Sequence, residues 1–388
     1  KNFFESGGAY KFSFLYPRII YFFNKIVNNN QIMVNDNTIE LKNYRLFIFF
    51  QISIFFVSLV FLYKVISKIL EKRLSLIIIS VLFLNPIIFQ WHLAFLTESL
   101  FLSVLIFSIC FLLESKKFFH FFFLGILIGV LYSLRTLALL YPLILIIYLL
   151  FQKKNITHRI FNILSLIFGV AIILLFIGVQ NYKRADVFYF TPIQSKTDLN
   201  TYIEAGILVK SKNFTALQAR EYLNKKSQAI LDNNNFDFTK ESEKIKFLNE
   251  IRNNSINTIS ENKIIFLQLI LPNYFHSMLL NPVQVYFAAK YQTWEKYKNN
   301  PDHKFWLKIR VIITLLFFSL FLYGLIISRK KISLELNIFL FFSILYFFFT
   351  SCWLGNTRYF IPSIMFMSIY FSLALNKIYE LITTKKLN

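Results

Sequence analysis

From Leu74 to Leu113 the chain runs for forty residues in which the only acid or base side chains are His92 and Glu98. A hydrocarbon core takes about 20 helical residues to cross. A stretch of this length therefore predicts a hairpin of two spans. Its tip falls near Trp91 to Thr97, in the run Phe89-Gln-Trp-His-Leu-Ala-Phe-Leu-Thr-Glu-Ser-Leu-Phe101, and Glu98 opens the returning limb. A carboxylate at bilayer mid-depth costs roughly 2.5–3.5 kcal/mol on insertion scales, so it needs a partner or a task. Two readings stay open from these residues alone. Glu98 belongs to a polar site, or it sits at the membrane interface in the first turn of a helix capped by Thr97, favoured by the positive dipole end.

Composition extends the reading to the whole chain. Of 388 residues, 56% are hydrophobic, 49 are Phe and only 16% are charged, which excludes an ordinary soluble fold and predicts a polytopic membrane protein. The net charge of +22 gathers largely in short Lys/Arg clusters between apolar stretches, the pattern of membrane topology and not of a nucleic-acid partner. Cys110 and Cys352 are the two cysteines, so there is no disulfide framework and no metal-ligand spacing. The chain opens at Lys1 without an initiator Met and reads as N-terminally truncated.

The expected fold is all-α, with about nine transmembrane helices and a helical extracytoplasmic insertion. Residues 1–45 read as an outer-face loop or interfacial segment, and 46–180 as an N-terminal transmembrane bundle. Residues 181–306 read as an extracytoplasmic helical region, with helices at Leu217–Leu231 and Ser242–Asn262, and 307–388 as C-terminal spans and a cytoplasmic tail. Within 242–262, Ile245, Leu248, Ile251, Ile256 and Ile259 approximate one apolar face. Residues 264–289 are uncharged but interrupted by Pro272 and Pro282, and read as interfacial or re-entrant instead of a further crossing. The spans are 46–63, the 74–113 hairpin, a second hairpin at 118–152, 160–180, 311–328 and a last hairpin at 332–376.

The basic clusters at 64–73, 116–117, 153–159 and 329–331, with Lys377, Lys385 and Lys386, then all fall on the cytoplasmic side. The hairpin tips share the other side. Three of those tips carry an isolated ionisable residue, Glu98, Arg135 or Arg358, and three on one face predict one polar site. No Gly-rich phosphate loop, Gly-x-Ser-x-Gly elbow or His-Glu-x-x-His zinc motif occurs. His92 and Glu98 are six apart, which is not a same-face helical spacing. A carboxylate can act as a general base, and guanidiniums can bind a phosphate and offset its charge as it departs. Such a set suits a lipid-linked phosphate whose tail stays in the bilayer.

Three motifs in order resemble the GT-C superfamily of integral-membrane glycosyltransferases. They are Leu96-Thr-Glu-Ser-Leu-Phe101, then Gly125-Ile-Leu-Ile-Gly129 leading to Leu134-Arg-Thr-Leu-Ala-Leu-Leu-Tyr-Pro142, then Gly355-Asn-Thr-Arg-Tyr-Phe-Ile-Pro362. The group includes protein O-mannosyltransferases, lipid A aminoarabinose transferases and glycosylphosphatidylinositol mannosyltransferases. The resemblance covers most of residues 1–180 and 305–376. It implies a polyprenyl- or dolichyl-phosphate sugar as donor, an inverting transfer to a lipid, glycan or protein acceptor, and a site on the non-cytoplasmic face. It also implies a principal Asp in the first outer loop. Lys1-Asn-Phe-Phe-Glu-Ser-Gly resembles the segment on the C-terminal side of that Asp, which is therefore expected upstream of Lys1, and Glu5 is too close to Gly7-Gly8 to replace it. Glu98 is then a second acidic catalytic residue, with Arg135, Arg358, Tyr359 and His92 binding substrate; no metal set or other cofactor is assigned. The bacterial inner membrane is favoured over the endoplasmic reticulum, and a transporter or flippase for a lipid-linked or anionic substrate is the alternative.

Overall fold

The computed structural model describes residues 15–27, 34–35, 38–39, 44–94, 96–115, 117–152, 155–190, 199–234, 236–281, 301–351 and 357–385. Glu5, Gly7 and Gly8, residues 282–289, and Lys116, Cys352, Gly355, Asn356 and Lys386 lie outside them. The described residues are almost wholly helical. α1 is Tyr16–Val27, followed by a two-residue antiparallel ladder, β1 Val34–Asn35 with β2 Thr38–Ile39. α2 is Tyr44–Ile66, α3 Lys72–Leu84, α4 Pro86–His92, α5 Glu98–Glu114 and α6 Phe118–Leu134. A 3-10 turn, Thr136–Ala138, leads into α7, Tyr141–Phe151, and α8 is Ile156–Ala185. A π-helical turn, Leu199–Glu204, precedes α9 Ala205–Ser211, α10 Ala216–Asn234, α11 Glu241–Glu261 and α12 Lys263–Met278. α13 Pro301–Ser328, α14 Leu334–Ser351 and α15 Thr357–Lys385 complete the chain.

Four helices among the described residues are long and apolar enough to cross a membrane: Arg45–Ile66, Ile156–Lys183, Phe305–Ser328 and Arg358–Thr383. The bent pair α3–α4 makes a fifth if it is one span. Most of the expected hairpin limbs are shorter than full spans, α15 being the exception, and proline is one reason. At Asn85-Pro86 the first limb breaks with a 56° bend. Pro86 has no N–H to give to a preceding turn and so starts α4, where the Asn85 side chain caps the Ile87 N–H at 3.0 Å. Within residues 1–45 Tyr16-Pro17 opens a helix, with Pro17 in its first turn.

The chain divides into two units. One comprises Leu41–Val170, Phe275–Cys352 and Asn356–Asn388. Its central helix is α15, whose apolar window is 78% buried, against 22% for α8, which turns Phe161, Leu164, Phe168 and Leu175 outward. An outward apolar surface of this kind is what lipid covers. With no water to expel between helices in lipid, close backbone approach carries the packing. α6 and α8 meet at Gly125 and Gly169, where an added Cβ would stand 2.2 Å from Leu166 O and 2.2 Å from Phe122 O respectively. α13 and α15 meet in the same way at Gly324, where a Cβ would stand 1.8 Å from Tyr370 O.

The second unit comprises Lys1–Glu40, Ala171–Tyr274 and Trp353–Gly355. Thr215 and Gln218 start α10 with a reciprocal capping box, at 2.8 and 3.2 Å. Leu208, Ala219 and Leu223 then bury together. On α11 Ile245 and Ile251 are buried but Ile256 is 40% exposed, so the apolar face is narrower than its spacing predicted. α12 runs through Pro272. Proline there leaves the carbonyl of Gln268 without its helical donor, and Lys210 Nζ supplies one at 3.2 Å.

Candidate functional site

Glu98 is 1% exposed and opens α5 with its carboxylate in the first turn. The Thr97 side chain makes no cap bond, so capping is not what holds the carboxylate. Arginine is. Glu98 Oε1 lies 3.1 Å from Arg135 Nη1 and accepts a short hydrogen bond from Arg358 Nε. Three residues 37 and 223 positions apart in sequence thus meet at one oxygen atom.

Arg135 is positioned by an interruption in helix and Arg358 by a helix start. Arg135 is the C-cap of α6, in extended conformation with φ −149° and ψ 128°, its own N–H given to Leu131 O. The turn that comes after it is clamped by α14. Tyr346 Oη donates to Leu137 O at 2.6 Å and receives the Leu140 N–H at 3.1 Å. Tyr141 Oη lies 3.3 Å from Ser343 Oγ. Arg358 lies in the first turn of α15. Tyr359 beside it offers one ring to both cations, 5.3 Å from the Arg135 guanidinium and 5.8 Å from that of Arg358. Trp91 and Phe101 add faces at 5.9 Å to Arg358 and 5.8 Å to Arg135. Aromatic faces of this kind attract cations and suit guanidiniums that are only weakly hydrated.

His92 belongs to the adjoining network and does not touch the carboxylate. Its ring is fully buried, with its centroid 3.9 Å from that of Phe55, and Nδ1 lies 2.7 Å from Ser99 Oγ. Ser99 gives its own proton to Gln51 O at 3.3 Å, so the Ser99 oxygen accepts from His92 Nδ1–H and Nε2 is left as a bare acceptor. Gln51 Nε2 in turn donates to Leu96 O at 3.0 Å, tying α2 to the hairpin tip. Gln90 Nε2 reaches Asn281 O at 2.5 Å, which anchors α4 to the residues after α12.

The chemistry of the cluster is set by its count of charges. Two guanidiniums surround one carboxylate, with side chains 11% (Arg135), 27% (Arg358) and 1% (Glu98) exposed, so the site carries a net positive charge with little water to screen it. Glu98 Oε2, Trp91 Nε1 and His92 Nε2 are buried with no hydrogen-bond partner among the described residues. Buried polar atoms are nearly always paired, so an acceptor, a donor and a second acceptor left open around one cluster are available to a ligand or to water. Among the described residues no group of three His, Cys, Asp or Glu side chains could hold a metal ion. No family model, no curated protein and no solved structure matches the chain.

Of the expected site residues, Glu98, Arg135, Arg358 and Tyr359 come together and His92 stands one residue away through Ser99. Tyr346, Ser99, Gln51 and Trp91 were not singled out in the sequence. Trp91 had a signal, since it lies in the hairpin tip; a tyrosine in a run of aromatic residues such as Tyr346 has none.

Proposed function

We propose that the chain is a membrane glycosyltransferase that moves a sugar from a polyprenyl-phosphate donor to an acceptor at the extracytoplasmic face. The observation that carries this reading is the excess of buried guanidinium over carboxylate at Glu98. Arg358 and Arg135 take the donor phosphate and offset the charge it gains as the sugar leaves. Glu98 sets the spacing of both guanidiniums and, through Oε2, accepts a proton or hydrogen bond from the acceptor. The nine-span topology belongs to the same proposal. It is supported by the gathering of Glu71, Lys331, Lys377 and Glu380 into ion pairs, and of Lys68 with Glu114.

The test uses the full chain reconstituted in vesicles with a polyprenyl-phosphate sugar. Arg358→Lys loses donor binding and transfer at least about tenfold, because an ammonium lacks the planar fork, while inserting normally. Parent-level donor affinity in Arg358→Lys and in Arg135→Ala would remove both residues from the site. Topology is checked by single cysteines: at Thr97 and Ser133 they react with an impermeant thiol reagent from outside, and at Ser115 and Asn155 they do not. Labelling of all four from one side breaks the nine-span arrangement.

One observation favours the transporter reading, the helix broken at Asn85-Pro86, since transporters build sites from discontinuous helices. Vesicles that move the intact lipid-linked donor across the bilayer without forming glycosylated product would establish that reading.

A further inference from the structure

A groove of about 770 Å³ runs along α3. Leu76, Val81, Leu84 and Ile87 line one wall, and Phe317 of α13 and Phe371 of α15 line the other. Arg73 stands at one end, exposed, with its guanidinium 3.7 Å from the centre of the Tyr379 ring. The acids nearest in chain, Glu71 and Glu380, are engaged by Lys331 and Lys377, and no carboxylate pairs with Arg73 among the described residues. The groove thus has an apolar bed and a single cation with no carboxylate partner at its mouth.

Its depth selects the occupant. From Arg73 to Leu84 is 11 residues of α3, about 17 Å at the helical rise, and the 56° bend turns the last lining residues, Asn85 to Ile87, off that axis. Half of a hydrocarbon core roughly 30 Å thick is about 15 Å, the reach of one leaflet. Arg73 also lies far from the guanidinium cluster. Arg358 and Tyr379 are 21 residues apart on α15, about 32 Å along its axis, or one full membrane thickness. A lipid whose phosphate sits at Arg358 begins in the opposite leaflet.

We infer that this groove is a binding site for one anionic phospholipid of the leaflet at the Arg73 end. An acyl chain lies along α3 between α13 and α15, and the phosphate pairs with the Arg73 guanidinium. The inference rests on the membrane reading and is independent of glycosyl transfer. Leu76 and Leu84, 55% and 71% exposed, form the rim through which the chain enters from the bilayer.

The experiment is native mass spectrometry of the full chain, purified in detergent and exposed to equal amounts of phosphatidylglycerol and phosphatidylcholine of matched chain length. The parent retains one phosphatidylglycerol with at least about fivefold preference, the factor expected of one basic residue at the surface. Arg73→Ala abolishes the preference and still binds either lipid weakly. Ser80→Trp, which fills the groove, removes retention of both. Equal retention of the two lipids by the parent overturns the inference, as does an unchanged preference in Arg73→Ala, an exposed position where folding is not at risk. Stoichiometric displacement of phosphatidylglycerol by a polyprenyl phosphate also overturns it, and assigns the groove to the donor's tail.

Discussion

Glu98 and Glu204 are both 1% exposed and both meet basic side chains, yet they are opposite kinds of buried acid. Glu204 ends a π-helical turn in the polar unit, and its two oxygens are fully used. Oε1 accepts from Lys226 at 2.8 Å and Thr258 at 3.0 Å, and Oε2 from Ser255 at 2.7 Å and Asn200 at 2.9 Å. One cation balances one carboxylate. At Glu98 two cations crowd onto Oε1, while Oε2 has no partner among the described residues. A buried network with every member satisfied rigidifies a fold, whereas one with open atoms is costly unless a ligand completes it. The difference separates a satisfied structural knot from a cluster with open polar atoms better than burial or residue type does.

Substitution sharpens the contrast, and the largest effect is expected at Glu98. Glu98→Gln keeps the shape and removes the charge that holds two guanidiniums together. Breaking a buried ion pair costs about 3–5 kcal/mol. Sugar transfer by the full chain falls at least about 100-fold, and thermal unfolding in detergent falls with it. Glu98→Asp, which retains the charge and shortens the reach, recovers stability before activity. Transfer at the parent rate in Glu98→Gln would reduce this cluster to a second structural knot.

Glu204→Gln is the matched case, with a smaller effect confined to stability. Lys226 is 31% exposed and can return to water, so losing the charge costs about 1–3 kcal/mol and leaves transfer unchanged. Hydrogen exchange over residues 199–261 reads it. The same knot has a pH signature. Burial opposes ionisation of Glu204, but the hydrogen bond and charge of Lys226, with Ser255 and Thr258, outweigh it and hold the pKa below the ordinary 4.5. A depressed folded-state pKa contributes stability that is fully present above 4.5 and is lost as pH falls through the folded value. Exchange protection over 199–261 therefore drops on acidification below 4.5 in the parent and less in Glu204→Gln. A flat profile in the parent would mean that the carboxylate is not coupled to folding.

The smallest effect is at Lys210. Lys210→Met leaves the Gln268 carbonyl beneath Pro272 without its donor and costs about 1 kcal/mol, read as faster exchange confined to α12. No change in α12 would show that water serves that carbonyl equally well.

Hydropathy and charge placement were enough to determine a helical chain with apolar stretches, and the tips of those stretches were legible because Glu98, Arg135 and Arg358 are isolated in apolar surroundings. The sequence located α10 within three residues at either end. What proline would do was not legible. Pro17 and Pro86 begin helices, while Pro272 is carried inside one by a lysine 62 residues earlier, and only the neighbour that takes up the lost hydrogen bond distinguishes these cases. The closeness of Gly125 to Gly169 and the clamp from Tyr346 to the Leu137 carbonyl depend on which helices pack together. The sharing of one Glu98 oxygen by two arginines, and the leaving of the other open, is a matter of ångströms between separate helices. Local sequence sets the polarity and the turns; distance between distant residues is decided only when the helices pack.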